Sequence, residues 1–223
     1  MATGNERARL RGLYAVTPDL EDTELLARRV EACLAGGAAL VQYRAKTIAP
    51  DLALRQARRL VEICHARGVP LFVNDSVELA AASNADGVHL GREDGDARAA
   101  RRILPRGIIG VSCYADPSRA RAAAEAGADY VAVGSMFASG TKPAAVRAPL
   151  DLVARMREDS GLPVAAIGGI TPGNAAEVIA AGADMVAVIG GVFDAADVTA
   201  ASRSIARLFE PATRHARTQP QSL

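Results

Sequence analysis

The sequence predicts a single (β/α)8 TIM barrel of parallel strands, and three observations carry that prediction. Eight short apolar runs alternate with longer amphipathic stretches, the pattern of strand–helix units on a parallel sheet. Half of the residues (50%) are hydrophobic but only 4% are aromatic. Ala, Val and Gly prevail instead, which suits parallel strands covered by helices. Finally, an Ala-Gly-Ala-Asp unit precedes an apolar strand twice, at residues 126–129 and 181–184, with glycine where a helix ends.

In chain order the expected strands are 12–18, 38–44, 69–75, 87–90, 108–113, 130–135, 163–169 and 185–191. Stretches of helical spacing, such as 52–67 and 175–181, lie between them. Eight strands are the number that closes a barrel, and 223 residues fall near the short end of that fold's range. A doubly wound open sheet is the architectural alternative, because periodicity does not report closure. Residues 1–210 are expected to form the catalytic barrel and 211–223, polar and aperiodic, a disordered tail.

Composition excludes several classes of function. A net charge of +1 offers no broad field for nucleic acid or an anionic membrane. No apolar run approaches the roughly 20 residues of a membrane span, and no signal-peptide core follows Arg7, Arg9 and Arg11. Cys33, Cys64 and Cys113 form neither a CxxC pair nor a cluster with histidine, which points to reduced thiols and a cytoplasmic protein. Self-association into a homo-oligomer is allowed by the sequence. Its partners should be small molecules.

In this architecture the loops after the strands build the active site. Strand two ends Gln42-Tyr43-Arg44-Ala45-Lys46, and alternation puts Gln42, Arg44 and Lys46 on one face, a clamp for phosphate oxygens. Of the 26 basic residues only Lys46 and Lys142 are lysines, and both follow strands. An ammonium is a compact point charge where arginine is a planar fork. Strand three ends in Asn74-Asp75, and Gly91-Arg92-Glu93-Asp94-Gly95-Asp96 follows strand four. Asp75 with Asp94 would suit Mg2+, which is commonly held by one or two carboxylates plus substrate phosphates. Either aspartate could instead cap a helix, and Glu93 and Asp96 compete with Asp94.

Ser112 ends strand five, where a hydroxyl could orient a substrate, but no His–Asp support marks it as a nucleophile. Ser139-Gly140-Thr141-Lys142-Pro143 after strand six would suit an anion. Gly168-Gly169-Ile170-Thr171-Pro172, expected to open a helix with proline in its first turn, and Ile189-Gly190-Gly191 offer backbone N–H groups for phosphate. Close packing would also explain those glycines. His65 and His215 lie in a helix and the tail, and His89 reads as a hydrogen-bonded barrel residue rather than a base.

Taken in order, these motifs resemble the thiamine phosphate synthase family over almost the whole chain, from Leu13-Tyr14-Ala15-Val16-Thr17-Pro18 to Val192-Phe193-Asp194. The resemblance implies that a thiazole phosphate nitrogen displaces pyrophosphate from a hydroxymethylpyrimidine pyrophosphate, giving thiamine phosphate. It further implies that Gln42, Arg44, Lys46, Asn74 and Lys142 bind the pyrimidine pyrophosphate and that Asp75 and Asp94 hold Mg2+. Ser112 would touch the pyrimidine, while Ser139, Thr141, Gly169, Ile189 and Gly190 would surround the thiazole phosphate. Arg44, Lys46, Lys142 and Ser112 would carry the catalysis. Ser139-Gly140-Thr141 departs from the family's Thr-x-Thr but keeps both hydroxyls. Gly190 replaces a usual serine and leaves only its backbone N–H. A thiazole tautomerase on the same fold would not need Arg44, Lys46 and Lys142. A sugar-phosphate epimerase would need more metal-binding histidines, and a sensor of thiamine precursors would bind without turnover.

Overall fold

The computed structural model describes residues 10–138 and 147–210. Eight parallel strands close into a barrel in sequence order. They are β1 (Gly12–Val16), β2 (Leu40–Tyr43), β3 (Leu71–Asn74), β4 (Gly87–Leu90), β5 (Ile108–Tyr114), β6 (Tyr130–Val133), β7 (Val164–Ile167) and β8 (Met185–Val188). Pairing of β1 with β8 completes the ring. Among the described residues seven helices follow the first seven strands: α1 (Thr23–Ala35), α2 (Pro50–His65), α3 (Val77–Ser83), α4 (Ala97–Ile103), α5 (Pro117–Glu125), α6 (Asp151–Ser160) and α7 (Ala175–Ala180). After β8 come a four-residue helix, α8 (Gly190–Phe193), and then α9 (Val198–Ala206). No described helix is long and apolar enough to cross a membrane.

The helices start where side chains can satisfy their free amides. Asp22, Ser76, Asp96, Asp116 and Asp197 each accept an N–H from the first turn of α1, α3, α4, α5 and α9. Strand alternation sorts side chains into two apolar sets. One, with Leu13, Val41, Val73, Val88 and Val131, packs between strands and helices together with the free, buried Cys33, Cys64 and Cys113. The other fills the barrel with Tyr14, Leu40, Phe72, Tyr130 and Met185. Phe72 stacks on Tyr130 at 5.9 Å between ring centroids, and Tyr14 meets both rings edge-on. Gly110 makes room for this layer: a Cβ there would lie 2.0 Å from the Tyr130 ring.

The expected strands overrun the observed ones at the ends that face the site. Asp75 (φ 67°), Gly168 (φ 104°) and Gly169 (φ 64°) take left-handed backbone, so β3 and β7 stop before them. β5 runs one residue further than expected because a register shift between Ser112 and Tyr114 brings a second side chain to the pocket. Pro172 lies in a turn, not in the first turn of a helix; α7 begins at Ala175, after Asn174 has accepted the Thr171 N–H.

The opposite, N-terminal rim is held by a recurring stitch. The aspartate preceding β4, β6 or β8 accepts the N–H of a residue near the start of the preceding strand: Asp86 from Leu71, Asp129 from Ile109, Asp184 from Val164. Each is also paired with a basic side chain, respectively His65, Arg101 and Arg157. Two residues earlier stand Asn84, Gly127 and Gly182, all at positive φ. Gly37 and Ala39 occupy the matching positions before β2, where alanine replaces the aspartate.

Candidate active site

The C-terminal strand ends surround an open cavity of about 960 Å3, within the range of small-molecule sites. Gln42, Arg44, Lys46, Asn74, Asp75, Asp94, Ser112, Gly169, Ile189 and Gly190 all line it. Ser139, Thr141 and Lys142 lie outside the described residues.

The β2 end is shaped by groups that sequence reasoning missed. Thr17 accepts the Arg44 N–H at 2.9 Å. Asp19 accepts the Lys46 N–H at 2.6 Å and an Arg44 guanidinium N–H at 2.9 Å. Asp19 therefore turns the segment and aims two cations together. It lies beyond β1, and only the fold brings it to β2.

Lys46 Nζ donates to Asp75, and Asp75 lies beside Asp94. A Cβ on Gly91 would come within 2.7 Å of an Asp94 oxygen and 3.8 Å of an Asp75 oxygen, which fixes both carboxylates at one spot. Desolvation, and then the contact with Asp75, push the Asp94 carboxyl above its ordinary range; the Gly91 N–H and Lys46 pull it back. Neither aspartate caps a helix, since Ser76 caps α3 and Asp96 caps α4. Asp75 instead sits in left-handed backbone, a conformation unusual for aspartate and concentrated at functional sites. Among the described residues no group of three carboxylates, histidines or cysteines forms. Two like charges facing an open pocket fit a hard cation completed by substrate oxygens and water.

Behind Gln42 and Ser112 runs a buried polar chain. Gln42 Nε2 lies 2.7 Å from the Tyr14 hydroxyl, which is 2.8 Å from that of Tyr130. His89 Nδ1 lies 2.9 Å from Tyr130 and its Nε2 2.9 Å from Ser112 Oγ. Burial lowers the His89 pKa to about 4 against a partial opposing effect of Asp94, so its ring is neutral at pH 7. This agrees with its expected role as a hydrogen-bonded barrel residue. On the outer wall the Arg92 guanidinium lies 4.9 Å from the Tyr114 ring centre, and Arg119 flanks the same ring at 5.6 Å.

The remaining wall is backbone. A Cβ on Gly169 would fall 2.3 Å from the Ala138 carbonyl oxygen, and one on Gly168 would meet Ser135. Close packing thus requires both glycines whatever they bind. Gly190 and Gly191 open α8, where amides lack intrahelical acceptors.

Cations, a carboxylate pair and exposed amides on the strand-end rim define an anion-handling α/β barrel. Residues 13–192 match the model of the TMP-TENI family, thiamine monophosphate synthase. A thiamine-phosphate synthase of Aromatoleum aromaticum is 57% identical over 203 residues, covering 91% of this chain and 98% of that protein. One from Methylobacillus flagellatus is 54% identical, covering 90% and 96%. The solved thiamine phosphate pyrophosphorylase of Pyrococcus furiosus superposes with a TM-score of 0.82 at 35% identity, covering 92% of this chain and 98% of that one. The chain belongs to the thiamine monophosphate synthase family.

Proposed function

We propose that this chain is a thiamine-phosphate synthase, a transferase joining hydroxymethylpyrimidine pyrophosphate to thiazole phosphate with release of pyrophosphate. One observation carries the site assignment: Arg44 and Lys46 converge with Asp75 and Asp94 on one wall of the pocket. As the C–O bond to pyrophosphate breaks, negative charge gathers on the leaving group. Fixed cations aimed there stabilise the transition state more than the ground state.

Arg44, Lys46 and Lys142 supply those cations, with Asn74 donating to the same group. Asp75 and Asp94 are the residues that would hold Mg2+, which supplies Lewis-acid stabilisation of the diphosphate when bound. The aminopyrimidine delocalises the positive charge left on its methylene carbon, so a dissociative path needs no protein nucleophile. Gln42 and Ser112 orient that ring. Gly169, Ile189 and Gly190, with Ser139 and Thr141, surround the thiazole phosphate and present its nitrogen to the carbon. We place the protein in the cytoplasm.

The test is incubation of the protein with both substrates and Mg2+, followed by mass spectrometry. Thiamine phosphate and pyrophosphate should accumulate together. Binding without product would mark a sensor, and isomerised thiazole without coupling would mark a tautomerase.

A further inference from the structure

The chain from Gln42 to Ser112 crosses the barrel through groups that can each both give and take a hydrogen bond, so fixing one end fixes all. Gln42 Nε2 can only donate, so the Tyr14 hydroxyl accepts from it and passes its own hydrogen to Tyr130. Tyr130, having accepted, donates to His89 Nδ1. In a neutral ring the proton then sits on Nε2, which donates to Ser112 Oγ. Two groups are left over at the pocket wall. Gln42 Oε1 takes no part in the chain, and the Ser112 hydroxyl hydrogen has been displaced from His89.

We infer that Tyr14, Tyr130 and His89 are positioning residues that fix Gln42 as an acceptor and Ser112 as a donor, and so select an aminopyrimidine over an oxopyrimidine. This rests on the synthase reading. An aminopyrimidine offers amino hydrogens to Gln42 Oε1 and a ring nitrogen to the Ser112 O–H. An oxopyrimidine puts a carbonyl oxygen against Gln42 Oε1, and neither can donate. Turning the Gln42 amide over would make Tyr14 donate to Oε1 and would reverse every link at once, putting the His89 proton on Nδ1, so the polarity is one collective choice that the histidine tautomer reports. Tyr14 and Tyr130 are buried among the barrel's apolar side chains, so no solvent can substitute for a missing link.

Two measurements test this. In protein labelled with 15N-histidine, the His89 ring signals, assigned by their loss in His89→Gln, should show a neutral imidazole protonated on Nε2. A proton on Nδ1, or on both nitrogens at pH 7, would overturn the inference. In kinetics, wild-type protein should prefer the amino pyrophosphate to its oxo analogue by about 10,000-fold in kcat/KM, the scale at which a polar pocket rejects an analogue that leaves its groups unpaired. Tyr14→Phe frees the Gln42 amide to rotate, so the preference should shrink about tenfold, mostly through the pyrimidine KM, with the thiazole phosphate KM unchanged. Tyr130→Phe, the second variant, should leave the His89 proton shared between both nitrogens. A Tyr14→Phe protein that keeps the full preference would refute the polarity. If wild-type protein makes no thiamine phosphate, the synthase reading and the selectivity assigned here fail, while the histidine measurement still judges the hydrogen-bond order.

Discussion

The two rims of the barrel use the same side chain in opposite ways. At the N-terminal rim Asp86, Asp129 and Asp184 each accept a strand N–H and lie against a His or Arg side chain, so every carboxylate is held by protein hydrogen-bond donors. At the C-terminal rim Asp75 and Asp94 face each other, with Lys46 answering only part of the charge. The first arrangement holds strands in register. The second leaves two carboxylates in contact, which raises the Asp94 pKa and is costly unless a further cation joins them. Stability and chemistry are thus separated along the barrel axis by how completely aspartates are matched.

That contrast can be broken most forcefully at the upper rim. Asp75→Asn and Asp94→Asn should each lower kcat/KM by about 1000-fold, the scale of losing a major electrostatic stabiliser. Thermal melts should show Asp94→Asn as stable as the parent or slightly more so, because a like-charge contact is removed. Chelation of Mg2+ should abolish turnover and its return restore it. Unchanged rates in any of these would refute the metal assignment.

At the lower rim the signs should reverse. Asp129 is fully buried, and Asp129→Ala would leave Arg101 without its carboxylate and the Ile109 N–H without an acceptor. A loss of about 3–5 kcal/mol in chemical denaturation is expected, with kcat per folded molecule unchanged.

Between the rims, His89 should make stability fall in acid. Its folded pKa of about 4 lies below the 6.5 of the unfolded chain. Below pH 6.5 the unfolded chain therefore takes up a proton that the folded one refuses. Stability is full above that pH and declines as pH drops towards 4, by about 3 kcal/mol in all. Denaturation across pH 4–7 should show a shallower slope in His89→Gln.

The smallest effect belongs to His65→Ala. Its link to Asp86 is largely solvent-exposed, and removing it should cost less than about 1 kcal/mol. A cost equal to that of Asp129→Ala would mean that burial does not grade the stitches.

Strand number was legible because period and composition report it directly, whereas closure in sequence order was not, because periodicity is the same in an open sheet. The Ala-Gly-Ala-Asp unit was visible twice, but its third copy was hidden: Ser83-Asn84-Ala85-Asp86 replaces glycine with asparagine, another residue that tolerates left-handed backbone. Strand ends were overdrawn because apolar pattern continues where φ changes sign, as at Gly168. Arg44, Lys46, Asp75 and Asp94 could be picked out as charges placed after strands. Asp19 could not, since its partners lie across a helix from it in sequence and only the parallel pairing of β1 with β2 brings them together. Tyr14 and Tyr130 read as strand filler, because a tyrosine hydroxyl acquires meaning only from what it reaches.

Gly110 ties two neighbouring strands into one decision. With a Cβ at that position only 2.0 Å from the Tyr130 ring, β5 cannot gain a side chain while β6 keeps its phenol. Any lineage or designer enlarging residue 110 must first whittle down residue 130, and with it goes the hydroxyl that joins Tyr14 to His89. Volume and wiring in the lumen are inherited as a single package.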